Sequence, residues 1–83
     1  MSQKQDRVIA SLELITAAIE RREPGDALIH CGCSPHYKPD ILVTSEWMLT
    51  EFPDAPVTSE TESHAHYAVD DGAVVWTCCV PHD

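Results

Sequence analysis

An Asp71-Gly72 step between two runs rich in apolar and β-forming residues, 64–70 and 73–80, constrains this chain more than any other stretch. Asp-Gly accommodates the positive φ angles of a two-residue type I′ turn, so residues 64–80 are expected to fold as a C-terminal β-hairpin. Counting outward from that turn pairs Asp70 with Ala73, Val69 with Val74, Tyr67 with Trp76, His66 with Thr77, Ala65 with Cys78 and His64 with Cys79. Alternation then gathers Ala65, Tyr67, Val69, Val74, Trp76 and Cys78 on one apolar face and sets His64, His66, Thr77 and Cys79 on the other. A slip of one residue would exchange the two faces, so the assignment depends on the turn.

The other end of the chain reads as a helix. Over residues 3–22, Val8, Leu12, Ile15 and Ile19 recur at intervals of four, three and four, with Ile9 and Thr16 beside them, which makes an apolar stripe. Ser2 and Gln5 have the form of a capping box, and Pro24-Gly25 stops the helix by disfavouring helical geometry at Glu23. The stripe is expected to pack on a sheet; a two-stranded coiled coil between copies is the alternative, with only about three heptads to hold it.

Between these ends, residues 26–33 predict a strand with Ala27, Ile29, Cys31 and Cys33 on one face and Leu28 and His30 on the other. Gly32 marks a bulge or a close backbone approach. A second strand is expected over 40–44, around Ile41-Leu42-Val43, after Pro39 closes the connection. Ser45 is a candidate N-cap for a short helix over 46–52, which Pro53 ends and whose Trp47, Met48, Leu49 and Phe52 are bulky enough to supply much of a core. Residues 53–63 are polar, contain two prolines and three acids, and predict a loop. With 83 residues there is room for one small domain, which buries only about 60% of its unfolded surface. The expectation is α+β: a long N-terminal helix packed on a small antiparallel sheet that ends in the C-terminal hairpin.

Charge is the strongest functional constraint. Residues 1–23 carry four bases and four acids, whereas residues 24–83 carry Lys38 against ten acids, so the whole net charge of −9 lies in the second segment. Such a field repels nucleic acid directly and favours encounter with basic surfaces. The start of the chain has no apolar core of a signal peptide, and no apolar run approaches the ~18 residues that span a bilayer, so a cytoplasmic, intracellular protein without membrane contact is expected. There the four cysteines are expected as thiols or metal ligands rather than disulfides, and adjacent Cys78 and Cys79 could bridge only with strain.

Two tetrapeptides share the pattern Cys-x-Pro-His: Cys33-Ser34-Pro35-His36 and Cys79-Val80-Pro81-His82. Together Cys33, His36, Cys79 and His82 would supply two thiolates and two imidazoles, a closed tetrahedral set that suits structural zinc, with Cys31 in reserve. Their separation is wider than ordinary finger spacing. A competing set is His64, His66 and Cys79, which the hairpin places on one face and whose open fourth position would suit catalysis. Plain thiols and solvated histidines are the bland alternative to both. No Walker loop, dinucleotide fingerprint, nucleophile elbow or His-Glu-x-x-His segment is present.

The function expected from these features is a non-enzymatic acidic module that engages a protein partner with a basic surface through Asp54, Glu60, Glu62, Asp70 and Asp71. In a sharper form, its acids imitate a nucleic-acid backbone and inhibit a nucleic-acid-binding protein, as phage-type inhibitors do. The alternatives are a small metal- or thiol-dependent enzyme using His64, His66 and Cys79, and a homo-oligomer that buries the helix stripe.

Overall fold

The computed structural model describes residues 2–34 and 36–82. Met1, Asp83 and Pro35, the third residue of the first Cys-x-Pro-His segment, lie outside the described residues. Helix α1 (Gln3–Arg22) leads through a 3-10 turn (Gly25–Ala27) into β1 (Leu28–Ser34) and β2 (Tyr37–Val43). Helix α2 (Ser45–Glu51) and strands β3 (Val57–Glu60), β4 (His64–Asp70) and β5 (Val75–Pro81) follow. The five strands form one sheet in the order β1-β2-β5-β4-β3. The α+β class and the C-terminal hairpin are as expected. The sheet is mixed, however, because β2 and β5 pair parallel while the other neighbours are antiparallel.

Local chemistry explains the ends of α1. The Ser2 hydroxyl accepts from the Gln5 N–H at 3.1 Å, and Glu23, at φ 50, turns left-handed and donates its N–H to the Ile19 carbonyl at 2.7 Å. The buried line is Ser11, Ile15 and Ala18, while Leu12 remains 49% exposed and Ile9 45%. The stripe expected from periodicity therefore only partly meets the sheet. Ser11 and Ala18 are small, which lets the helix backbone settle closely with that line down.

Three boundaries and one strand register move for identifiable reasons. The chain forms the 3-10 turn before β1, so that strand begins at Leu28. A register shift between Leu28 and His30 puts Leu28 on the same side as Cys31, opposite Val43 and Ile41, and leaves Ile29 60% exposed rather than inward. Strand β2 reaches back to Tyr37 because Pro39 sits at a second irregularity, outside the β2–β5 ladder, where its missing N–H costs no bond. At α2 the cap is Thr44, whose hydroxyl accepts from the Trp47 N–H at 3.4 Å; Ser45 is already helical, and Leu49 faces out at 36% exposure.

The segment 53–63 is not all loop: Val57–Glu60 adds the edge strand β3 to β4. The β3 residues are all exposed, so the segment needs no apolar alternation. Gly32 is a close approach as well as part of an irregular ladder, since a Cβ there would meet the Asp40 carboxylate at 3.2 Å.

The core consists of Ile15, Ala18, Ile41, Val43, Met48, Val74, Trp76 and Cys78. Ile41, Val43, Trp76 and Cys78 point to the helix-bearing side of the sheet. Their neighbours along the strands, Asp40, Leu42, Thr77 and Cys79, therefore lie on the side that neither helix covers, together with His64 and His66. Among the described residues no helix is long and apolar enough to cross a membrane.

Candidate functional site

The uncovered sheet face carries the histidine and cysteine chemistry. In the hairpin, His66 pairs with Cys79, Ala68 with Thr77, and His64 with Pro81. Every cross-strand partner is displaced by two positions from the expected register, because the turn is centred on Gly72 and Ala73, with Gly72 at φ 98. A two-residue shift preserves parity, so His64, His66, Thr77 and Cys79 still share the outer face.

Asp71 braces the shifted turn. Its Oδ1 accepts from the backbone N–H groups of Ala73 and Val74, both at 3.0 Å. Its Oδ2 accepts from the Trp76 indole Nε1 at 2.9 Å and from Arg21 at 3.2 Å. Asp71 N–H meanwhile donates to the Val74 carbonyl at 3.1 Å. Burial would raise the carboxyl's pKa, but the Val74, Trp76, Ala73 and Arg21 donors outweigh it and hold the group at about 2. The side chain is 10% exposed. Of the five acids expected to face a partner, Asp71 is thus the one drawn into the fold. An Asp bonding to N–H groups two and three residues on is a recognisable turn device, and that was the signal available in the sequence.

The other four remain at the surface. Asp70 is held below the ordinary carboxylate range first by Lys38, whose Nζ lies 2.7 and 2.9 Å from its two oxygens, and next by the Gly72 N–H. Glu60 lies 3.4 Å from His82 Nε2, while Asp54 and Glu62 are exposed without an ion pair among the described residues.

The two Cys-x-Pro-His segments are not brought together. Gly32 is level with Asp40 and thus with Val75, which places Cys33 and His36 at the β1–β2 turn; Cys79 and His82 end β5 at the opposite end of the sheet. With about 3.3 Å per residue and about 4.8 Å between strands, the sulfurs are on the order of 20 Å apart, far beyond the span of one zinc ion. His64, His66 and Cys79 do share a rim, with the imidazole centroids 6.4 Å apart and Ser63 Oγ 2.8 Å from His64 Nδ1. Among the described residues no group of three or more His, Cys, Asp or Glu side chains converges as a metal site. Metal analysis of untagged protein should accordingly find no stoichiometric zinc dependent on Cys33; zinc lost on Cys33→Ser would contradict that separation.

Thiol chemistry divides by place. Cys31 and Cys33 are exposed, Cys79 is half-buried and Cys78 is buried. Burial, with the neighbouring Cys79 charge, raises the Cys78 pKa against a lowering contribution from the Tyr67 backbone. Alkylation of the native protein should therefore modify Cys31 and Cys33 first and Cys78 last. Equal rates at Cys78 and Cys31, read by peptide mass mapping, would show that β5 opens freely.

At the end of the sheet where β1 begins and β2 and β5 finish, Asp26, Glu46, Glu60 and Glu62 leave the fold, none with a Lys or Arg ion-pair partner among the described residues. No family model, no curated protein and no solved structure matches this chain.

Proposed function

We propose that this chain is a non-enzymatic acidic binding module that docks on a basic surface of another protein. In its sharper form, its carboxylates stand in for a nucleic-acid backbone and occupy a nucleic-acid-binding target. One observation supports the reading above the rest. The fold engages Arg21, Arg22 and Lys38 in ion pairs with Asp71, Glu51 and Asp70. Those pairs take up the only base beyond residue 23 and leave Asp26, Asp40, Glu46, Asp54, Glu60 and Glu62 without a Lys or Arg partner among the described residues. Uncompensated charge of one sign steers association and makes it sensitive to ionic strength.

The test is affinity capture from the host followed by titration of the purified partner. Binding should weaken on the order of tenfold between low and moderate salt, and the partner should lose nucleic acid in competition. Affinity that is flat with salt would end the reading; salt-sensitive binding without displacement of nucleic acid would end only its sharper form. A second reading, a small thiol- or metal-dependent enzyme, is favoured by the His66–Cys79 pairing beside His64 on the open face. Turnover abolished by Cys79→Ser, with the fold intact, would support it.

A further inference from the structure

The outer flank of α1 carries apolar side chains that the fold leaves uncovered. Ile9 and Leu12 are each nearly half exposed, and with Glu13, Thr16, Ala17 and Glu20 they line a shallow depression along the helix. The Thr16 hydroxyl donates to the Leu12 carbonyl at 3.0 Å, so that polar group is satisfied within the helix. Beside the stripe, Asp6, Glu13 and Glu20 follow one another at heptad intervals, about 10.5 Å apart along the axis, and form an acidic rail. No base forms an ion pair with any of the three among the described residues. An apolar stripe with a one-sided charged rail is how one helix specifies another.

The rail also decides between occupants. A second copy of α1 would bring the same three acids and no base to the stripe. On a helical projection Lys4 and Arg7 lie on other faces, Arg7 against the Ser34–Lys38 side, and Arg21 and Arg22 are paired elsewhere. Self-pairing would also join two chains of net charge −9. We infer that the Ile9–Leu12–Thr16 stripe of α1 receives an amphipathic helix of a partner protein, one whose apolar face is edged by Lys or Arg residues at heptad spacing. This rests on the proposed docking with a basic partner and assigns the surface that performs it. It moves the centre of the contact from the sheet end to the helix, where apolar area adds affinity that charge alone does not provide.

The probe is a synthetic helical peptide with leucines on one face and lysines flanking them, compared with a scrambled peptide of the same composition. Titrations follow the full chain and its variants, with circular dichroism confirming that each variant is folded. The helical peptide should bind more tightly than the scrambled one. Ile9→Asp with Leu12→Asp should abolish that preference, and Glu13→Lys with Glu20→Lys should weaken binding about tenfold. Equal binding of both peptides, or a loss that follows Glu60→Lys with Glu62→Lys instead, would overturn the assignment to α1 and leave acidic docking standing. Absence of binding to either peptide at low salt would sink the docking reading itself. A dimer in sedimentation that Leu12→Asp dissociates would name a second copy as the occupant and overturn the inference.

Discussion

Truncating Trp76 to alanine should leave the chain largely unfolded at room temperature. The indole is fully buried and anchors the aromatic cluster, with ring centroids 5.2 Å from Trp47 and 6.3 Å from Phe52, and its Nε1 donates to Asp71. Emptying a site of that size costs about 3–5 kcal/mol, and lost aromatic contacts add about 0.5–1.5 kcal/mol each. A chain of 83 residues holds in total only about 4–12 kcal/mol, so little net stability would be left. Trp76→Phe helps to separate the two roles of the residue, because it keeps most of the packing while removing the N–H and the smaller part of the ring system. That variant should stay folded and lose about 1–2 kcal/mol. Urea unfolding followed by circular dichroism decides the matter: a Trp76→Ala midpoint near that of the parent would mean that the cluster is peripheral.

What the sequence discloses about this fold follows physical lines. The outer face of the hairpin is legible although Asp71-Gly72 points to a turn one residue before the actual one, since a turn shifted by one changes each cross-strand sum by two and preserves parity. The ends of α1 were legible because Ser2 and Pro24 act locally. Its buried line was not, because periodicity gives Leu12 more weight than Ser11, whereas the sheet accepts the side on which small residues allow the closer approach. Strand β3 was hidden for the opposite reason: solvent reaches all its residues, so nothing in Val57–Glu60 had to alternate. The two Cys-x-Pro-His segments are alike in sequence, but their distance depends on strand order. The parallel pairing of β2 with β5 sends them to opposite ends of the sheet, and no local pattern encodes that.

The second large effect falls on Asp71, and it should appear both in mutation and in acid. Alanine there leaves the N–H groups of Ala73, Val74 and Trp76 and the Arg21 guanidinium without their acceptor, at a cost of about 2–3 kcal/mol. Asn keeps an oxygen for one side of this arrangement but offers a neutral amide to the other, so it should lie between parent and alanine. The pH dependence has a definite sign. The folded carboxyl titrates at about 2 instead of 3.8, so the bound form is the ionised one. Its stabilisation is complete above the unfolded value and is lost as pH falls from about 4 through about 2. The full shift corresponds to no more than roughly 2 kcal/mol, and screening by water at the loop brings this to about 1–2 kcal/mol. Because Asp70 also titrates low, the informative quantity is the difference in urea midpoint between the parent and Asp71→Asn, measured from neutral pH down to acid. That difference should shrink as Asp71 protonates. A gap that stays constant would mean that the turn is held by backbone geometry at Gly72, with the carboxylate as a bystander.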